Sequence, residues 1–151
     1  MKLRTLLFTA VLFLPATGAF AQGAMPDQKT FASSAEVQAL LAKAKTMPPK
    51  PMIIQDVVTV APYPVHLEFR NGIQKADSHP KEAELIYVVD GAGTFNMGGT
   101  ITNGAITGGT STHVAKGDFL FVPPNTPHQM MPDSGGEAQV TIHVPAEAAA
   151  Q

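Results

Sequence analysis

Two short segments of this chain carry side chains from which a reactive centre can be built. The first is Asp77-Ser78-His79-Pro80-Lys81-Glu82-Ala83-Glu84, running on into Leu85-Ile86-Tyr87-Val88-Val89-Asp90-Gly91. The second is Gly117-Asp118-Phe119-Leu120-Phe121-Val122-Pro123-Pro124-Asn125-Thr126-Pro127-His128. Asp77 and His79 stand two apart, so on extended chain they project to one face. Glu84 alternates in phase with Ile86 and Val88, which sets a carboxylate among core side chains. There it needs a partner, and a metal cation is a sufficient one. His128 follows a Pro-rich turn on a separate hairpin and can bring an imidazole from the facing side. Two imidazoles and a carboxylate with open coordination positions suit Fe(II), Mn(II), Ni(II) or Zn(II). The metal-free alternative is a pocket in which Glu84 hydrogen-bonds His79 or His128.

Further candidates surround these. Tyr63, Val65, Leu67 and Phe69 alternate with His66, Glu68 and Arg70, so the three polar residues share a strand face. They either line a barrel mouth, where His66 and Arg70 can hold a carboxylate-bearing ligand, or form a solvated or subunit-facing surface. Met130 shares the face of His128 and can wall the site, with ordinary packing as the other reading. His143 alternates against Val140, Ile142 and Val144, which turns it away from the expected core. His113 follows a Gly/Thr-rich stretch and is expected at the surface. Glu82, two before Glu84, is the alternative for its role. No unique general base stands out, and Glu84 can serve as one only where it does not ligate a metal.

Such residues need a framework, and the sequence supplies short strands. From Met52 onward the apolar period is two, giving expected strands at 52–60, 63–70, 84–90, 94–97, 118–122, 127–131 and 138–144. Turn signals separate them: Asn71-Gly72, Asp90-Gly91-Ala92-Gly93, Lys116-Gly117-Asp118 and Asp133-Ser134-Gly135-Gly136. The thirteen Gly and thirteen Pro of the 151 residues fit this pattern and argue against a helical bundle. An all-β sandwich or barrel follows. Residues 98–111 read as a long loop or loose hairpin, either a lid or a plain surface insertion. Ahead of the barrel (52–146) comes a lead, 22–51. In it Ser33-Ser34-Ala35-Glu36 fits a capping box, and Val37, Leu40, Leu41 and Ala44 recur at helical spacing. This predicts one helix over 34–45, stopped by the Pro-rich run 47–51.

Composition narrows the function. With no Cys, disulfides, thiolate metal sites and cysteine nucleophiles are excluded. A net charge of −2 gives no electrostatic case for nucleic-acid binding. Residues 1–21 read as a cleavable signal peptide: Lys2 and Arg4, an apolar run too short to span a bilayer comfortably, then Ala19-Phe20-Ala21. The expected mature chain starts at Gln22, carries no membrane segment, and resides in the periplasm or outside the cell.

The two chemical segments together resemble the paired motifs of the cupin superfamily. The first motif usually reads H-x-H, three or four residues, Glu, six residues, Gly; His79, Glu84 and Gly91 match it. The second usually reads G-x5-P-x-G-x2-H-x3-N; Gly117, Pro123 and His128 keep their spacing, with Asn125 at the second Gly. Asn125 can adopt the left-handed turn conformation that Gly would supply. Asp77 replaces the first motif's leading His, and Pro132 the second motif's closing Asn. The resemblance spans about residues 63–144 and implies an all-β, cupin-type jelly-roll barrel or sandwich, to which the capping box and apolar spacing add one short N-terminal helix. It also implies a divalent metal at His79, Glu84 and His128, with Asp77 either an oxygen ligand or turned to solvent. An oxygen ligand there favours Mn or Fe over Ni or Zn. The implied activity is enzymatic, on a small oxygen-rich organic substrate, by dioxygenation, decarboxylation, isomerisation or lyase chemistry. The alternatives are a non-catalytic small-molecule or metal-binding cupin and a purely structural one. Cupins commonly pair through sheet edges, so a homodimer is expected, covering the apolar edge of 52–60.

Overall fold

The computed structural model describes residues 28–146; the expected leader lies outside them. Helix α1 spans Ser34–Thr46, with Ser33 as its N-cap: the hydroxyl accepts the Glu36 N–H at 3.2 Å. The Glu36 carboxylate does not complete a capping box but pairs with the Lys29 ammonium at 2.7 Å. The chain turns extended at Met47, ahead of Pro48. Leu41 and Ala44 are the buried face of α1. No helix among the described residues is long and apolar enough to cross a membrane.

Eight strands follow: β1 Met52–Val60, β2 Tyr63–Arg70, β3 Glu82–Met97, β4 Thr100–Thr102, β5 Ala105–Thr107, β6 Thr110–Ala115, β7 Phe119–Val122 and β8 His128–Pro145. The main sheet runs β1-β2-β8-β3-β6, with β7 also on β3, and every pairing is antiparallel. The molecule is thus the expected all-β fold with one helix.

Two turn signals do not reverse the chain. The segments expected as separate strands at 84–90 and 94–97 join into β3, and those at 127–131 and 138–144 join into β8. Gly91 (φ 75°) and Gly136 (φ 86°) give the reason. The β3–β8 register shifts on both sides of Gly91, and residues 133–136 bulge out of the ladder between Pro132 and Glu137. The backbones touch at this bend. A Cβ on Gly91 would collide with the Gly136 carbonyl, and one on Gly136 would stand 2.8 Å from the Arg70 carbonyl oxygen. Glycine here permits close approach of bent strands rather than a hairpin.

Burial organises around two clusters. Leu41 and Ala44 of α1 cover Ile53, Val57, Leu67, Phe69, Val89 and Ala138 on one sheet face. Ile86 and Val88, in phase with Glu84, pack with Phe95, Val114, Val122 and Met130 in the second. The β1 edge is partly covered within the chain: the Lys29 carbonyl accepts the Thr59 N–H at 3.0 Å, and Thr59 Oγ1 accepts the Lys29 N–H at 3.1 Å. The exposed large apolar side chains of β3 and β7 lie side by side, Leu85 opposite Phe121 and Tyr87 opposite Phe119. Within residues 98–111, 100–107 form the β4–β5 hairpin, turned at Asn103-Gly104, both with positive φ, and Thr110 and Ser111 open β6. Its Gly104 carbonyl accepts the Ala76 N–H at 2.8 Å, which ties the hairpin to the segment leading into His79.

Candidate metal centre

Three pieces of backbone bring the chemical side chains together. Asp77 and His128 form an isolated antiparallel bridge, with N–H···O distances of 3.0 and 2.9 Å. The His79 carbonyl accepts the Asn125 N–H at 2.8 Å, and Asn125 holds φ 57°, the left-handed turn expected of it. These bonds clamp the 77–79 segment to the Pro-rich turn before His128. Glu84, on β3, is flanked by Val122 of β7 and His143 of β8. The result is a cavity of ≈ 390 Å³ whose wall includes Asp77, His79, Glu84, His128 and His143.

His79, Glu84 and His128 each offer one donor atom, and these lie within 4.8 Å of one another. His128 Nδ1 is 3.0 Å from the Thr126 carbonyl, which can only accept, so Nδ1 carries hydrogen and Nε2 is the atom turned to the cavity. That Nε2 lies 3.0 Å from Glu84 Oε2. The approach is off-line for a hydrogen bond, and Oε2 is buried with no hydrogen-bond partner among the described residues. The ring centroids of His79 and His128 are 5.2 Å apart, and Phe95 stacks on the His128 ring at 6.1 Å.

Charge at this point is balanced between burial and neighbours. Burial pushes the Glu84 carboxyl up, but facing His128, with His143 and His79 beyond, outweighs it and holds the group below its ordinary value. Burial pushes His128 down, but the Glu84 carboxylate and the Thr126 carbonyl outweigh it and raise the imidazole. A carboxylate 4% exposed and an imidazole nitrogen facing it compete for one cation, a proton or a metal. The buried, unpartnered oxygen and the mixed N/O donor set fit a divalent metal.

Asp77 lines the cavity, yet its carboxylate stands outside both groups of converging donors. Its Oδ1 accepts the N–H of Ser78 at 2.7 Å, a local bond typical of Asp in a bend. Arg70 and Met130 line the cavity as well, whereas His66 does not and faces Asp56, 3.1 Å away. Alternation correctly sets His66, Glu68 and Arg70 in one row, but the row is longer than the cavity. Glu68 Oε2 binds Arg70 Nη2 at 2.5 Å and accepts Gln139 Nε2–H at 3.3 Å. Arg70 Nε and Nη1 are buried without hydrogen-bond partners among the described residues.

His143 requires a correction. Expected to face away from the core, it lines the cavity: Nε2 is 3.7 Å from Glu84 Oε1, and its ring centroid is 5.1 Å from that of His79. Val140, Ile142 and Val144 are only half-buried, whereas Gln139 and Thr141, in phase with His143, are buried, so apolar alternation here marks the face turned away from the cavity. The informative signal is register, since His143 is the cross-strand neighbour of Glu84. With Glu68 and Glu84 it forms a second group of donors within 4.8 Å of one another. Glu82 Oε2 sits behind it, 3.2 Å from Nδ1. His113 is exposed beside Asp133 at 3.0 Å, at the surface as expected. Sequence reasoning also missed buried Glu137, Gln139 and Thr141 on the cavity side of β8. Burial pushes the Glu137 carboxyl up to about 7, against the opposing pull of Arg70.

Residues 70–144 match the family model described as "Cupin domain". No curated protein matches the chain. Solved structures share the fold at low identity. The Cnp3 cupin domain of Schizosaccharomyces pombe is 6% identical with a TM-score of 0.55, over 70% of this chain and 73% of that one. A putative mannose-6-phosphate isomerase from Ralstonia eutropha JMP134 is 20% identical with a TM-score of 0.52, over 67% and 89%. The Fe(II) protein HppE is 14% identical with a TM-score of 0.51, over 62% of this chain and 50% of its own.

Proposed function

We propose, for a chain whose residues 70–144 form a cupin domain, that the cavity holds a divalent metal ion, Mn or Fe, and acts with it on a small oxygen-rich organic molecule. The observation that carries this reading is the Glu84 carboxylate, buried between His79 and His128 with one oxygen unpartnered. His79, Glu84 and His128 would hold the ion. Two imidazoles and a carboxylate are a donor set suited to Fe(II) or Mn(II), with Ni(II) and Zn(II) the alternatives. When bound, the ion supplies Lewis acidity toward an oxygen-bearing ligand.

The chain's own groups do the rest. Thr126 fixes the His128 ring through Nδ1, keeping Nε2 turned inward. Arg70 lines the cavity with its guanidinium held between Glu68 and Glu137, a positive charge suited to a carboxylate-bearing ligand. Met130 gives an apolar side to the cavity, and Phe95 stacks on the His128 ring. The leader pattern of residues 1–21 supports export, so we place this activity in the periplasm or outside the cell.

The test is metal uptake. Purified full-length protein should bind Mn(II) or Fe(II) stoichiometrically by elemental analysis and titration. His128→Ala should weaken that affinity by at least about 100-fold with an unchanged circular dichroism spectrum. Wild-type protein that takes up neither ion overturns the reading.

A further inference from the structure

We infer that His143 is a ligand of the same ion, a third imidazole beside His79 and His128. The inference rests on the metal reading above. It begins with register: Glu84 and His143 are paired across β3 and β8, so their side chains leave the sheet on one face as neighbours. His143 Nε2 faces Glu84 Oε1, while His128 Nε2 faces Oε2, so each carboxylate oxygen has an imidazole nitrogen turned toward it. The 3.7 Å separation at His143 is too long for a hydrogen bond and leaves that nitrogen without a structural task. Its ring lies as close to His79 as the His128 ring does, at 5.1 and 5.2 Å between centroids.

Orientation gives a second argument. His143 Nδ1 is buried without a hydrogen bond, and the negative charge of Glu82 Oε2 lies 3.2 Å from it. A carboxylate behind one ring nitrogen favours hydrogen there and leaves the other nitrogen's lone pair toward the cavity, the arrangement common to metal-binding histidines. For His128 the corresponding nitrogen is fixed by a hydrogen bond to the Thr126 carbonyl; for His143 the bias is electrostatic. Asp77, by contrast, spends its carboxylate on the Ser78 amide and belongs to neither donor group, whereas His143 belongs to the second and shares Glu84 with His79 and His128. A separate second ion among Glu68, Glu84 and His143 is disfavoured, because the Arg70 guanidinium already sits on Glu68 Oε2.

The full-length protein loaded with Mn(II) tests this by pulsed EPR. Wild type should show nitrogen couplings from three imidazoles, and His143→Gln from two. His143→Gln should also weaken Mn(II) binding about tenfold or more, with the metal-free circular dichroism spectrum retained. Wild type that binds Mn(II) with only two coupled imidazoles overturns the assignment, whether or not the variant folds. So does a His143→Gln protein of unchanged affinity and spectrum, or a stoichiometry of two ions per chain. Wild type that binds no Mn(II) overturns the metal reading itself and this inference with it.

Discussion

Around Glu84 a proton and the proposed metal would contend for the same place, and the sign of the contest can be worked out. His128 must be neutral at Nε2 to ligate, and its raised value lies above the ordinary 6.5. Below that raised value each unit of pH should cost about tenfold in metal affinity. Mn(II) titrations across neutral pH should therefore show binding that strengthens as pH rises and then levels off; affinity independent of pH would contradict the pairing of His128 with Glu84. Glu137 gives a second residue-scale prediction. Its carboxyl is held at about 7 against the ordinary 4.5, so between those values the folded chain keeps a proton that the unfolded chain has lost. Stability should fall as pH rises through this window, by roughly 3 kcal/mol in all. Glu137→Gln should flatten that fall, visible as a smaller drop in melting temperature between mildly acid and mildly alkaline buffer. These polar residues were unequally legible. Motif spacing and alternation are enough to bring His79, Glu84 and His128 toward one point. They fail for His143 and Glu137, because on β8 the polar row of Glu137, Gln139 and Thr141 is the buried one, so apolar alternation names the wrong face as interior.

Among the elements, helix α1 was legible almost to its last residue, since its N-cap, apolar spacing and terminating prolines all act locally. Strand limits were less so. Gly91 and Gly136 carry the same local signal whether they close a hairpin or bend a continuous strand, and only the packing of β3 on β8 decides between the two. This distinction is testable. Gly91→Ala must force a left-handed backbone and a clash with a backbone carbonyl, and should cost at least about 3 kcal/mol in urea denaturation. Gly117 also has positive φ, at 101°, but a Cβ there would meet nothing within 4 Å. Gly117→Ala should therefore cost only about 1 kcal/mol, the backbone term alone. Equal costs at the two positions would remove the argument for close approach. Residues 98–111 show a related limit: the Asn103-Gly104 turn was present in the sequence, but its anchorage to Ala76 depends on a contact between distant segments.

For the molecule as a whole, composition and alternation made the all-β architecture readable, whereas the sharing of strands was not. β3 runs from the Glu84 region to the Phe95 region, and β8 runs back beside it along nearly its whole length. Val88 and Val89, adjacent on β3, belong to different core clusters, so one backbone serves both. This gives the bent pair of strands a thermodynamic meaning. Neither cluster can melt while the other stays ordered, because each would lose the ladder it is built on. Thermal unfolding should appear as one transition, with far-ultraviolet dichroism and tyrosine fluorescence tracing superimposable curves; a separated early phase in either signal would show that the halves are independent. Refolding should be slow for so short a chain, milliseconds to seconds, since the central ladder joins partners remote in sequence. Loss of the candidate donor cluster at Glu84 and loss of the apolar packing around Phe69 would then be a single event.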